Sequence, residues 1–153
     1  MGEFEIKESM MMTKFMTSAL VSASLLAGAS LAQADMHGDM HPGVWADDQS
    51  VTGGTVSAQK VVADDNGWLV VHRTDDSMKP GPVVGHAPLK AGENQDVAAI
   101  LTEEVAAGDQ LMLMVHSEEG GMETGIFEYT LGAKEDGPVK QDGGLVMTTI
   151  TAQ

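Results

Sequence analysis

Cysteine is absent from all 153 residues. That excludes the disulfide staples that small exported domains often use. It also excludes a lipoprotein anchor, a thiol nucleophile and a blue-copper centre, each of which needs a sulfhydryl group. Positive charge is scarce. Eight Lys and Arg stand against 23 Asp and Glu, for a formal net charge of −15. Such a surface repels nucleic acid and anionic lipid and favours solubility. Beyond Ala34 no apolar run is long enough to span a bilayer. Helical patterning is also nearly missing there, being confined to residues 103–107. Serines 50, 57, 77 and 117 stand in no nucleophile-elbow sequence, and no glycine loop precedes a helix to cradle phosphate.

What is present begins with a short apolar stretch. Lys14 supplies a positive flank, residues 15–31 are apolar and diluted by Ser and Thr, and Ala32-Gln33-Ala34 closes the run. Small residues at the first and third places of that tripeptide suit signal peptidase. The expectation is a signal-peptide helix over residues 1–34, with a mature chain beginning at Asp35. Residues 1–9 carry Glu3, Glu5 and Glu8 and make a poor n-region. They read as a start placed upstream of Met10-Met11-Met12, or as added residues. Residues 35–48 read as a flexible Met/His tail, with Asp35-Met36-His37-Gly38 nearly repeated by Asp39-Met40-His41-Pro42. Residues 49–153 are enough for one domain with one core.

From Gln49 onward the signals are β. Strands are expected over residues 55–62, 68–73, 83–89, 95–102, 110–116, 126–131 and 145–152. Gly, Asn, Asp and Pro separate them. Asp64-Asp65-Asn66-Gly67 reads as a tight hairpin, because Asn-Gly accepts positive φ angles. Residues 110–116 alternate most clearly. Leu111, Leu113 and Val115 share one face, and Met112, Met114 and His116 share the other. The even spacing predicts an all-β fold, a single antiparallel β-sandwich of about seven or eight strands. Without a cysteine pair, "immunoglobulin-like" describes only the architecture.

Several strings carry a resemblance. Gly67-Trp68-Leu69-Val70-Val71-His72 is followed by Gly81-Pro82-Val83-Val84-Gly85, Leu89-Lys90-Ala91-Gly92 and Val97-Ala98-Ala99-Ile100-Leu101. Leu113-Met114-Val115-His116 and Gly125-Ile126-Phe127-Glu128-Tyr129 come later. In this order they resemble an uncharacterised family of secreted immunoglobulin-like β-sandwich domains of bacteria and halophilic archaea. The resemblance covers residues 49–152. It implies export and a sandwich, and it implies no reaction.

Four groups of residues have metal chemistry. A free Asp35 amine, the Met36 and His37 backbone nitrogens and the His37 ring would close a planar four-nitrogen chelate, the tetragonal geometry of Cu(II) or Ni(II). Met36, Met40 and His41 add soft and imidazole ligands nearby. His72 and His116 each end a strand in Val-His, and with His86 they form a set of three imidazoles able to hold Zn or Cu. The expectation is nevertheless two rim histidines bonded to turn backbone, with their rings apart. Met112 and Met114 read as core filler on a strand buried on both sides. The acidic turns 64–66, 75–76 and 118–119 lack calcium-loop spacing and read as solvated.

The sequence thus describes an exported, non-enzymatic β-sandwich, a binding or structural module of the periplasm or cell surface. Its expected partners are other proteins or envelope components. The alternative is a periplasmic copper-binding protein that uses Asp35-Met36-His37. A small hydrolase is a third reading and needs a deep pocket.

Overall fold

The computed structural model of the chain describes residues 41–153. The expected signal helix and the tail up to Met40 lie outside the described residues. The strands are β1 (Gly43–Trp45), β2 (Thr55–Ala63), β3 (Gly67–Thr74), β4 (Val83–Leu89), β5 (Gly92–Leu101), β6 (Gln110–Ser117), β7 (Lys140–Gln141), β8 (Gly144–Leu145) and β9 (Met147–Thr151). No helix occurs among the described residues. Seven strands make one antiparallel sheet in the order β1-β2-β5-β4-β3-β6-β9, and β7 pairs only with β8. The all-β expectation is therefore correct.

β3, β4 and β5 follow one another as a meander, and β2 returns beside β5, which is a Greek-key arrangement. β4 and β5 share only two register pairs, Gly85↔Leu101 and His86↔Ile100. The sheet folds over at that weak seam, so inward residues of β2 meet those of β3 and β6 in one core. Val56, Ala58 and Val61 come from one half, and Leu69, Val71, Leu111, Leu113 and Ile150 from the other. Leu113 is fully buried, as its alternation predicts. The edges come together at one end, where Gln49 bridges Ala152.

Burial alternates along β5 but not along β3 and β6. Trp68 through His72 and Leu111 through His116 are buried without a break. Both faces of these two central strands are covered. Aliphatic side chains fill the inner face. The outer face carries Trp68, Val70 and His72 on β3, and Met112, Met114 and His116 on β6.

Three expectations fail. Residues 64–67 do not close a hairpin between β2 and β3. The two strands are not neighbours, and the turn instead carries the chain from one half of the fold to the other. Residues 126–131 form no strand. Phe127 and Tyr129 instead belong to an irregular segment that covers the outer face, and Ile126 is exposed. Residues 43–45, expected within a flexible tail, form β1 against β2, with Lys60 Nζ 4.1 Å from the Trp45 ring centroid.

Candidate metal centre

β3 and β6 run antiparallel in a continuous register, with His72 opposite Met112, Val70 opposite Met114 and Trp68 opposite His116. The two histidines therefore stand on one face, two cross-strand steps apart. Their rings lie along the strands toward each other. His72 Nε2 and His116 Nε2 are 3.3 Å apart, and both residues are fully buried. The ring centroids are 5.3 Å apart with planes inclined by 28°. Nitrogens so much closer than centroids mean that the rings meet tip to tip. The expectation that these rings stay apart is overturned. Sequence gave no pairing for their strands, and the pairing decides it.

Each ring is also held from behind. His72 Nδ1 is 2.7 Å from the Gly81 carbonyl oxygen. His116 Nδ1 is 2.6 Å from the Asp136 carbonyl oxygen. A carbonyl oxygen only accepts, so each Nδ1 carries the hydrogen. In the neutral rings both Nε2 atoms are then bare. Two lone pairs face one another at 3.3 Å with no proton between them. That arrangement is repulsive unless a cation lies between them. An Nδ1–H held by a backbone carbonyl, with Nε2 aimed at a common point, is the outer-shell pattern of a metal-ligating histidine.

Local sequence explains both anchors. A Cβ on Gly81 would come within 2.7 Å of the Arg73 carbonyl oxygen. Only glycine lets the 75–82 loop fold onto β3, where Gly81 N–H donates to that same oxygen at 2.8 Å. Gly67 serves the other histidine, because a Cβ there would run into the His116 carbonyl oxygen. Asp136 adopts a left-handed φ of 45°, which aspartate tolerates better than most residues. The Tyr129 ring packs edge-on to both imidazoles, 4.5 Å from His116 and 5.9 Å from His72 by centroids.

Burial lowers the pKa of both imidazoles. His116 falls to about 4. Desolvation is the main cause, opposed by the Asp136 carbonyl and reinforced by His72. Burial therefore keeps both rings neutral and both lone pairs available.

His86 does not join the pair. It lies on the exposed side of β4, stacks on Phe127 at 4.5 Å and meets Trp68 edge-on at 5.6 Å. Among the described residues no three His, Asp or Glu side chains converge as a ligand set. The set of three imidazoles is thus not assembled: His72 and His116 face each other, and His86 stands apart. Asp35, Met36, His37 and Met40 lie outside the described residues. His41 Nδ1 accepts from Gln141 Nε2 at 2.9 Å. Met112 and Met114 are fully buried, as expected of core. Asp64, Asp65 and Asn66 are exposed, and with Glu118 and Glu119 they border a cleft of about 500 Å³ that reaches His116. The carbonyls of Gly81 and Asp136 had no signal in the sequence, since every residue has a carbonyl. Phe127 and Tyr129 did have one, an aromatic pair in a chain with few aromatics.

No curated protein and no solved structure matches the chain. A family model does match it, over residues 42–153, which takes in every strand and both facing histidines. The chain belongs to that family, DUF7282, described as a domain of unknown function.

Proposed function

We propose that this chain is an exported, non-enzymatic module that holds one transition-metal ion between His72 and His116. One observation carries the reading. Two buried Nε2 atoms face each other at 3.3 Å while both Nδ1–H groups are bound to carbonyls. Two nitrogens at ~2.0–2.1 Å from one ion can stand this far apart. Imidazole suits Zn, Cu, Fe and Ni alike. Export rests on Ala32-Gln33-Ala34 after the apolar run, and a periplasmic or cell-surface setting follows from it. A non-enzymatic role fits a pair enclosed by aromatic and thioether side chains.

The test is metal retention. The processed chain carrying His37→Ala, which removes the N-terminal chelate, is dialysed against Zn(II), Cu(II), Ni(II), Co(II) and, anaerobically, Cu(I). One equivalent of at least one ion should remain. His72→Phe and His116→Phe should each abolish its retention while the protein stays folded. No retained ion, or retention unchanged by both variants, defeats the reading.

A second reading has its own observation, the junction of Ala34 with Asp35-Met36-His37. A mature chain with a free Asp35 amine would chelate Cu(II) or Ni(II) there, independently of the buried pair.

A further inference from the structure

The two-histidine reading leaves the ion unnamed, and the inference drawn here rests on it. We infer that the ion is Cu(I), held by His72 Nε2, His116 Nε2 and the thioether of Met114.

The angle at the ion comes first. Two nitrogens ~2.0 Å from one ion and 3.3 Å apart subtend roughly 110°. That is far from a linear two-ligand bridge and leaves room for a further donor. Among the described residues no third imidazole or carboxylate converges on the pair. The chain has no cysteine. The Tyr129 hydroxyl accepts from the Gly132 N–H at 3.3 Å, and the remaining side-chain donors that β3 and β6 place on this face are the thioethers of Met112 and Met114.

Register selects which thioether. The cross-strand pair Val70↔Met114 lies between His72↔Met112 and Trp68↔His116. Met114 thus occupies the row midway between the two histidines, over which their rings reach toward each other. It is fully buried. Met147 of β9 stands opposite Met114 and continues that row, and it is only half-buried. A soft donor inside and another nearer solvent in one row give a soft ion a route to the pair.

Charge points the same way. Removing an ion from water costs more the higher its charge, and a buried dication is held where anionic ligands offset that cost. Here both nitrogen ligands are neutral, and no carboxylate bonds to either ring. A d¹⁰ monocation with a preference for thioether and imidazole fits this enclosure, and Cu(I) is that ion. Both Nε2 atoms are already bare, so binding displaces no proton.

The experiment uses the processed chain with His37→Ala and His41→Ala. Cu(I) is titrated anaerobically in competition with a chromophoric chelator. Ag(I), a redox-inert substitute, is followed by ¹⁵N NMR of the imidazoles. One equivalent should bind, and the Nε2 resonances of His72 and His116 should shift while both Nδ1–H groups persist. Met114→Leu conserves volume and should weaken Cu(I) by roughly tenfold or more, with Met112→Leu close to the parent. Zn(II) or Co(II) held more tightly than Cu(I), or Met114→Leu without effect, overturns the inference and leaves the two-histidine reading standing. If no ion moves either Nε2 resonance, and a proton is found shared between the rings, both fail.

Discussion

Asp136 makes three bonds that hold the outer covering segment together and fasten it to β6. Its N–H donates to the Glu119 carbonyl at 2.8 Å. Its Oδ2 accepts from the Glu128 N–H at 2.7 Å. Its carbonyl takes the His116 Nδ1–H. The residue is 1 % exposed and has positive φ. Asp136→Ala leaves the part-buried Glu128 N–H without its acceptor and places a poorly tolerated side chain in the left-handed region. It should cost about 1–3 kcal/mol in urea unfolding. It should also red-shift tryptophan emission as Phe127 loosens from Trp68. Asp136→Asn keeps an acceptor and tolerates the same φ, so it should cost less than ~1 kcal/mol. Equal stability of the two variants would show that the side-chain bond contributes nothing. None of this was legible from the sequence, where Asp136 is one acidic residue in a polar loop.

β3 and β6 carry the site, and their close approach depends on Gly67. Gly67→Ala drives a methyl group into the His116 carbonyl oxygen, so the strands must part there. Gly53→Ala meets nothing within 4 Å and serves as the comparison. Thermal melting should place Gly67→Ala about 2 kcal/mol or more below the parent and Gly53→Ala near it. Retention of metal should fail in Gly67→Ala alone, because His116 moves with its backbone. Undiminished retention would mean that the register of these strands does not position the pair. β6 itself was readable from sequence, since Leu111, Leu113 and Val115 alternate with Met112, Met114 and His116. Its partners were not. Asn66-Gly67 has the chemistry of a hairpin turn, yet β2 pairs with β5, because folding over buries both inner faces in one core.

At the scale of the molecule, acid should weaken the metal-free domain. The His116 pKa in the folded chain is about 4, against 6.5 for an unperturbed histidine. The unfolded state therefore binds more protons between these values, and stability rises with pH across that window. Stability is full above pH 6.5 and is lost as pH falls toward 4. The loss is about 3 kcal/mol at most for His116, and His72 adds in the same direction. A first proton shared by both Nε2 atoms would offset part of this, so the titration belongs to the pair. Melting temperatures at pH 7.5, 6 and 4.5 should fall in that order, and a His72→Phe/His116→Phe double variant should flatten the slope. An unchanged slope would assign acid lability elsewhere. The proposed export makes a separate prediction. Mass spectrometry should find Asp35 as the first residue. The protein should take up one equivalent of Cu(II) at neutral pH at this terminus and release it in acid. His37→Ala, or one residue added ahead of Asp35, should abolish that uptake, and His41→Ala should not. Equal binding by the extended and native forms would sink the terminal chelate.

Composition and periodicity alone determined that the domain over the described residues is all-β. Period-two alternation fixes which side chains share a strand face, and that is a property of local backbone geometry. Sequence likewise excluded thiolate chemistry and supplied every histidine and methionine of the proposed site. It did not determine that His72 and His116 meet, that His86 stands apart or that Met114 stands in the cross-strand row between them. Those relations depend on which strands become neighbours and in what register. Neighbours are chosen by burying the inner faces of both halves together, a choice made over the whole chain. The orientation of the two rings is more remote still from sequence. It is set by the backbone carbonyls of Gly81 and Asp136, whose positions exist only once the loops have closed over the sheet.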